Sequence, residues 1–435
     1  MPDKWPLADG LYSSAANWNG GTKPLPGDDV YADGRSLTMD ESFTVATLRT
    51  TQRSGGTVGG TFLFNTAGVT GTVTSANPLV PGATNMVQIT ATTGTVTLSL
   101  GGSVAVTTAT GHNIILYSGN CNFNLSGSNF NGTSTSNFTS TACINKTSAG
   151  TITITGNLNG GTVGGAGTGS NRALLSTNGN TVIIGNVVGG STANSGNRAI
   201  EQSAGTLTVI GNVTGGQGIL TNSGIVFTGT SITVTGTITG GTVARAIETS
   251  APINNIIGNA TGGSVEAIFS SSANIINVTG TVTASASAPA ITMTNANGQV
   301  YLNGNMVNNN GKMAIFAPIV WLDKNNTTSA AFFTSGGVAR TLYSADTVPN
   351  QPAQNNVRFN TIYGPGNSLT GTCVMPVAAN SRNGVVYDNG TVGTALFTTS
   401  LFLTELSSST VPVAVRMQNL CTPQILGELM EAFKK

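Results

Sequence analysis

A short motif centred on one glycine recurs along the middle of this chain and constrains its fold more than any other feature. It reads GTITITGNLNGG at residues 150–161 and returns six times, with central glycines separated by 29, 26, 25, 22, 22 and 24 residues. The seven glycines are Gly156, Gly185, Gly211, Gly236, Gly258, Gly280 and Gly304. Such a period is typical of repeat architectures in which each copy contacts only its neighbours.

Two columns of the aligned repeat predict what each copy contributes. The position two residues before the glycine is always aliphatic and predicts a continuous core: Ile154, Ile183, Val209, Val234, Ile256, Val278 and Leu302. The position after the glycine is polar and predicts a side-chain hydrogen-bond ladder between stacked copies. Its asparagines are Asn157, Asn186, Asn212, Asn259 and Asn305.

A second segment in each copy begins as NRALLS at 171–176 and pairs a small residue with Leu or Ile. Each copy therefore offers two or three short strands separated by Gly, Asn and Ser corners. We predict an all-β fold, a parallel β-helix or solenoid, right-handed because parallel crossovers have that bias. A small β C-terminal domain that ends in a short helix would follow it.

Changes in composition divide the chain into five predicted regions. Residues 1–50, which contain Trp5 and Trp18, would form an N-terminal cap or attachment segment, because a solenoid must cover its open end. The other regions are irregular coils at 51–145, seven regular coils at 146–318, a solenoid end or linker at 319–355, and C-terminal β repeats with the terminal helix at 356–435.

The C-terminal region carries its own internal repeat. Asn356, Arg358 and Tyr363 recur 24 residues later as Asn380, Arg382 and Tyr387, which predicts two copies of a small β unit. The tail TPQILGELMEAFKK begins with an N-cap threonine followed by proline and ends in lysines, the pattern of a helix.

Charge and composition exclude several functions. A net charge of +1 argues against nucleic-acid binding, and no segment reaches the roughly 18 apolar residues of a membrane helix. The chain holds one histidine and four cysteines, none in a metal-ligand spacing, so we expect no cofactor. The cysteines are expected to be small core residues.

Three glutamates are the candidates for glycosidase chemistry, which needs two carboxyl groups flanking the scissile bond. The small residue and the Leu or Ile of the second segment form what we name the Ala-Ile column. Glu201 and Glu248 each follow this column in copies two apart, so strand spacing places their backbones about 9.6 Å apart. Glu266 lies one copy further on. Arginines close to all three explain them equally well as a surface charge ladder.

Two other groups of residues are candidates for binding a ligand. Asp28, Asp29 and Asp33 are oxygen ligands of the kind that Ca²⁺ takes, although PGDD and ADG are also ordinary turn sequences. Scattered aromatics would stack on sugar rings or close the end of the solenoid. They are Tyr301, Trp321, Phe332 and Phe333.

Several motifs together resemble bacteriophage virion proteins, namely tail fibres, tailspikes and related β-helical receptor-binding or decoration proteins. They are ANWNGGTKPLPGDDVYADG at 16–34 with TVATLRT after it, the Gly/Asn/Thr coils of 150–309, and the paired NVRF…IYG and NSRN…VYD units. The resemblance implies a homotrimer located in the virion, made in the host cytoplasm without a signal peptide and in contact with other virion proteins.

The function we expect is therefore a structural, adhesive virion component that presents a β-solenoid to a host-surface polysaccharide and is not an enzyme. One alternative is a polysaccharide depolymerase, a hydrolase or lyase that uses the three glutamates. The other is a capsid or tail decoration or adaptor protein that binds no receptor.

Overall fold

The chain folds as an all-β parallel solenoid of about 10 turns over residues 3–303, which confirms the predicted all-β parallel solenoid. Two compact units, Met1–Gln351 and Pro352–Lys435, make up the chain. The computed structural model describes residues 2–54, 59–80, 86–105, 113–132, 141–161, 171–191, 196–217, 222–283, 288–304, 306–307, 315–322, 341–344, 362–363, 369–370, 386–387 and 391–392. Within these ranges no helix is long and apolar enough to cross a membrane.

Each regular coil contributes one strand to each of three parallel stacks, which we name the first, second and third faces. The first face contains the strands that precede the repeat glycines. Its strands are Phe43–Val45, Thr70–Val73, Thr95–Leu100, Asn122–Asn131, Thr151–Asn159, Thr181–Ile184, Thr206–Ile210, Ser231–Thr235, Ile253–Ile257, Ile275–Thr279, Gln299–Asn303, Ile319–Leu322 and Thr341–Ser344.

The second face follows the glycines, and two long first-face strands, Asn122–Asn131 and Thr151–Asn159, continue into it. Its other strands are Val104–Ala105, Val187–Val188, Val213–Thr214, Ile238–Thr239, Ala260–Thr261, Val282–Thr283 and Met306–Val307. The third face is built on the Ala-Ile column. Its strands are Gly10–Leu11, Ser36–Thr38, Thr61–Phe64, Val87–Ile89, Ile115–Tyr117, Thr141–Lys146, Asn171–Ser176, Ile200–Gln202, Ile225–Phe227, Ile247–Thr249, Ile268–Ser270, Ile291–Met293 and Ile315–Phe316.

Alternation along each first-face strand separates core from surface. In Thr206–Ile210, Leu207 and Val209 are buried, whereas Ile210 is exposed. Parallel pairing keeps this register from coil to coil, so Ile183 pairs with Val209. The residues of the aliphatic column are each at most 2% exposed: Ile154, Ile183, Val209, Val234, Ile256, Val278 and Leu302.

The repeat glycines mark the bend between the first and second faces. Gly211 has φ +148°, and a Cβ atom there would lie 2.1 Å from the carbonyl oxygen of Gly185 in the preceding coil. Only glycine combines this backbone conformation with so close an approach between neighbouring coils. A glycine at the same place in every coil is therefore a requirement of the stacking.

The largest differences in repeat length are taken up at one corner. From the core residue of the second face to that of the third, the coils from Leu158 onwards span 16, 13, 12, 9, 8 and 9 residues. From the third face to the next first face they span 9, 9, 9, 9, 10 and 11 residues. We name the variable segment the second-to-third corner.

Residues 1–50 already contribute strands to the solenoid, so residue 50 does not mark its start. A separate four-stranded stack at this end consists of Asp3–Lys4, Asp29–Tyr31, Thr47–Arg49 and Leu79–Val80. Two short 3₁₀ turns, Ala15–Asn17 and Asn19–Gly21, flank Trp18, which is fully buried and donates its indole N–H to the carbonyl of Tyr12 at 2.9 Å. Trp18 thus closes the core at the N-terminal end, and the cap role of this segment stays a prediction.

The second unit contains two short antiparallel pairs. Ile362–Tyr363 pairs with Leu369–Thr370, and Val386–Tyr387 pairs with Thr391–Val392. The pairs occupy equivalent positions of the two repeated segments. The helix predicted in 422–435 lies outside the described residues, as do His112, Phe332 and Phe333.

Candidate functional site

The charged side chains of the regular coils are confined to the third face. Between residues 147 and 311 the sequence has six of them, and each lies in a third-face strand or two residues before one. They are Arg172, Arg198, Glu201, Arg245, Glu248 and Glu266. The structure therefore brings the three candidate glutamates to one face together with three arginines.

Glu201 accepts hydrogen bonds from two arginines. The Nε of Arg172 in the preceding coil and the Nη1 of Arg198, the latter at 2.8 Å, both contact its Oε2. Burial alone would raise the pKa of Glu201, but the charges of Arg172 and Arg198 outweigh it and hold the pKa below its usual range. The two arginines therefore stabilise the ionised form of Glu201.

The other two glutamates share one arginine. Arg245 Nη1 lies 3.1 Å from Oε2 of Glu248, and its Nε lies 3.3 Å from Oε2 of Glu266 in the next coil. The guanidinium also stacks on Phe269, 3.9 Å from the ring centroid. Arg245 thus joins two neighbouring coils by charge and by stacking.

These contacts favour the charge ladder over the catalytic interpretation. Glu201 and Glu248 occupy one register column with Val226 between them, so their backbones are two strand spacings apart, about 9.6 Å. An acid catalyst must hold a proton near neutral pH. The arginines stabilise the ionised form of Glu201 instead, and Glu248 and Glu266 are engaged by Arg245.

The N-terminal aspartates serve local structure. Asp28 accepts a hydrogen bond from the backbone of Leu25 at 2.9 Å, and Asp33, with φ +51°, accepts one from Arg53 at 2.9 Å. Asp29 accepts the hydroxyl of Thr47 at 2.6 Å. Across the described part of the chain, no three His, Cys, Asp or Glu side chains are grouped to hold a metal ion.

The asparagine column forms its ladder through hydrogen bonds from backbone to side chain, and at its first member the Nδ2 of Asn157 also donates to Oδ1 of Asn129 at 2.9 Å. The Oδ1 atoms of Asn157, Asn186 and Asn212 each accept the backbone N–H of the next coil, at 2.8–2.9 Å. Asn259 does the same for Thr281 at 2.9 Å. The side chain thereby supplies an acceptor where the chain bends at the glycine. Asn305 lies outside the described residues.

A second asparagine ladder lies inside the solenoid and was missed by the sequence argument. Oδ1 of Asn197 accepts the backbone N–H of Asn171 at 3.1 Å, and Oδ1 of Asn222 accepts that of Asn197 at 2.9 Å. All three residues are buried. They stand where the second-to-third corner is longest. The repeated Asn-Arg-Ala of NRALLS and NRAIEQ was the signal for this column.

Polar side chains also fill the interior corner between the third and first faces. The Nε2 atom of Gln202 lies within hydrogen-bond distance of three carbonyl oxygens, those of Gly179, Ala204 and Thr206, at 2.8–3.1 Å. Lys146 is fully buried, and its Nζ donates to the carbonyl of Ser148 at 2.7 Å and to that of Asn178. Burial lowers the pKa of Lys146 to about 8.

The first and second faces present neutral side chains to solvent. Over the coils of 150–304 their outward positions hold Thr, Ser, Asn and Gln together with aliphatic residues and Tyr301. Several apolar side chains on these faces are more than a third exposed: Ile184, Val188, Ile210, Ile253, Ile257 and Tyr301. Over the described residues of 150–304, these two faces thus have no charged side chain, and the ion pairs of these coils lie on the third face.

The chain matches no protein-family model, no curated protein sequence and no solved structure.

Proposed function

We propose that this protein is a structural component of a bacteriophage particle that presents its solenoid to a host-surface glycan. The observation that carries the proposal is the separation of charge: ion pairs join coils on the third face, whereas the first and second faces offer repeated hydroxyl, amide and apolar groups. Such a surface suits an uncharged, hydrogen-bonding and partly apolar ligand.

The rest of the particle assignment depends on the resemblance in the sequence. We propose a homotrimer in the virion, in contact with other virion proteins, with no nucleic-acid or membrane role and no cofactor. We also propose that the solenoid is right-handed, because parallel crossovers have that bias.

An adhesive role agrees better with the glutamates than an enzymatic one. Glu201, Glu248 and Glu266 are each in an ion pair with arginine. The hydrolase form of the depolymerase alternative requires one of them to act as a general acid. The decoration or adaptor alternative remains open to experiment, because a rod stabilised by ladders also suits a purely structural part of the particle.

One sample of purified protein tests these proposals. Light scattering gives the absolute mass in solution, and a glycan array on the same sample gives binding. A stable trimer that binds glycans and leaves them intact is the expected result. A monomer without glycan binding would favour the decoration or adaptor role.

A second measurement separates adhesin from depolymerase. Any glycan bound on the array is incubated with wild type and with the triple variant Glu201→Gln, Glu248→Gln, Glu266→Gln, and chain length is followed by size-exclusion chromatography. We expect no shortening with either protein. Shortening by the wild type that the triple variant has lost would establish the depolymerase.

A further inference from the structure

The turn that follows the third-face strand Asn171–Ser176 contains an asparagine followed by a glycine. Asn178 is exposed, whereas Gly179 is buried and has φ +71°. The backbone nitrogen of Gly179 lies 2.8 Å from Oδ1 of the Asn178 side chain. Because Cγ is bonded to that oxygen at about 1.2 Å, it lies within about 4 Å of the nitrogen. The side-chain amide is therefore folded back onto the peptide nitrogen that follows it, the nucleophile of asparagine deamidation.

Two buried side chains donate to the carbonyl oxygen of the same peptide bond. They are Lys146, through Nζ, and Ser176, through Oγ at 3.2 Å, and both contact the backbone oxygen of Asn178. Lys146 and Ser176 are adjacent partners in one third-face column, and both are fully buried. A positive charge and a hydroxyl stabilise the negative charge that a peptide oxygen takes when the peptide nitrogen gives up its proton. The stacking of coils thus activates the amide of Gly179.

We propose that Asn178 is a site of intramolecular deamidation, in which the contacts of Lys146 and Ser176 with its carbonyl oxygen activate the nitrogen of Gly179. That nitrogen forms a bond to Cγ of Asn178, the bond from Cγ to Nδ2 breaks, and Nδ2 leaves as ammonia with the proton of the Gly179 N–H. Water, which reaches the exposed Asn178, then opens the succinimide ring. Addition at Cγ gives aspartate, and addition at the backbone carbonyl carbon gives isoaspartate.

Either product changes this corner of the coil. A carboxylate replaces a neutral amide within the span 42–200, which has no Asp or Glu of its own. Isoaspartate also extends the backbone and displaces Gly179, whose carbonyl oxygen lies 3.1 Å from Nε2 of Gln202 in the next coil. A Cβ atom on Gly179 would lie 2.5 Å from the backbone of Ala149, so the corner has little room. We therefore expect the isoaspartyl form to unfold at a lower urea concentration than the unmodified protein.

A second Asn–Gly pair in the same chain is an internal reference. Asn297–Gly298 also lies in an exposed turn before a first-face strand, but the N–H of its glycine donates to the carbonyl of Asn295 at 3.1 Å. In that coil the column of Lys146 holds Met293, and in the coil before it Ser270. No ammonium group therefore stands at the equivalent place, and we expect this pair to react at the ordinary rate of an exposed turn.

Lys146 acts in this way only while it carries its proton. Burial lowers the pKa of Lys146 to about 8, so the side chain is charged at neutral pH and loses its charge above pH 8. The ring of Tyr117 lies 5.6 Å from Nζ, and burial raises the pKa of Tyr117 to about 12. Burial likewise raises the pKa of the Cys121 and Cys143 thiols. These groups are therefore neutral where Lys146 titrates, and the span 42–200 that surrounds it has no carboxylate side chain.

The test is peptide mapping by mass spectrometry of the full chain after incubation at neutral pH. It gives the deamidation rates of Asn178 and Asn297 in the same sample. The variants are Lys146→Met, which keeps an apolar stem of similar length, and Ser176→Ala. Circular dichroism melting checks that each variant folds, and the wild type unfolded in urea gives both rates without the fold.

We expect Asn178 to deamidate at least about 10-fold faster than Asn297 in the folded protein and at a similar rate in urea. Lys146→Met should lower the rate at Asn178 about 10-fold and Ser176→Ala about 3-fold, with the rate at Asn297 unchanged, because the charged donor is the stronger one. Hydroxide accelerates both reactions. The ratio of the two rates should nevertheless fall above pH 8, where Lys146 loses its proton.

Three results would each overturn the proposal. Equal rates at Asn178 and Asn297 in the folded protein would show that the fold does not activate the site. A folded Lys146→Met variant with the wild-type rate at Asn178 would exclude the lysine from the reaction. Where Lys146→Met fails to fold, a ratio of rates that stays constant through pH 8 and is unchanged by Ser176→Ala would exclude both donors.

Discussion

The first and third faces of the same coils share one pattern of backbone pairing but differ in chemistry on both surfaces. Outside, the third face has arginines and glutamates, whereas the first face is neutral over 150–304. Inside, Lys146, Ser176 and Gln202 follow one another in a third-face column, whereas the aliphatic column of the first face is apolar throughout. The same stacking of strands is therefore compatible with a charged or a neutral outer surface, and the side chains determine which one forms.

The difference teaches how a stacked repeat accommodates charge. Identical residues in one column lie about 4.8 Å apart, so a repeated like charge is destabilising. The third face avoids this at Arg172 and Arg198, which occupy adjacent positions of a column and share Glu201. On the first face hydroxyl and amide side chains repeat freely, because they are neutral.

The largest expected effect comes from reversing inside and outside on the first face. Ile183 is fully buried and the next residue, Ile184, is 43% exposed. Ile183→Asp places an unpaired carboxylate in the core and should destabilise by more than about 4 kcal/mol, enough to prevent folding. Ile184→Asp should fold with a change within about 0.5 kcal/mol. Urea unfolding followed by circular dichroism measures both, and equal tolerance of the two would contradict the register described here.

The next effect concerns the ion pairs of the third face. Glu201→Gln leaves Arg172 and Arg198 adjacent without their carboxylate, and we expect a loss of about 1–3 kcal/mol. Glu248→Gln is the control, since Glu248 is more exposed and leaves Arg245 with Glu266; its cost should stay below about 1 kcal/mol. Urea midpoints of the two variants give the comparison, and equal losses would show that Glu201 is an ordinary surface residue.

The same pair predicts a dependence on pH. The pKa of Glu201 is lowered in the folded state, so the unfolded chain binds the proton more tightly. Its stabilising contribution is complete above the ordinary glutamate pKa and decreases as the pH falls through the lowered folded pKa. The difference in unfolding free energy between wild type and Glu201→Gln should therefore shrink on acidification, and a difference independent of pH would contradict the assigned ion pairs.

How far the sequence predicts this molecule depends on whether a column repeats. The solenoid and its aliphatic core followed from positions such as Ile183 and Val209, which recur in every copy. The outer asparagine column follows the repeat glycines, and its Oδ1 atoms accept backbone N–H groups of the next coil. Which backbone N–H lacks a strand partner at a bend depends on three-dimensional geometry that a one-dimensional pattern does not contain.

Features present in only a few coils were not predicted. Lys146 reads as an ordinary surface lysine in TACINK, and only the structure shows that it lies inside and donates to two carbonyls. The inner ladder of Asn171, Asn197 and Asn222 spans just the coils with a long second-to-third corner. The ion pairs of the third face, in contrast, were indicated by the sequence. Arg198 lies three residues before Glu201, and the two form an ion pair in the structure.

The smallest expected effect is the difference in stability loss between variants of the inner and the outer asparagine ladder. Asn197 is fully buried, accepts from Asn171 and donates to the carbonyl of Gln217 at 3.1 Å. Asn197→Ala should cost about 1–3 kcal/mol, because the groups that lose their partner are shielded from water. Asn186 lies on the surface and accepts the N–H of Asn212, which water can replace, so Asn186→Ala should cost only about 0.5–1.5 kcal/mol. Hydrogen exchange at the amides of Asn171 and Asn212 reads each ladder directly. A larger loss at Asn186 than at Asn197 would mean that the outer ladder, on the neutral side of the rod, holds the coils together more strongly than the inner one beside the third face.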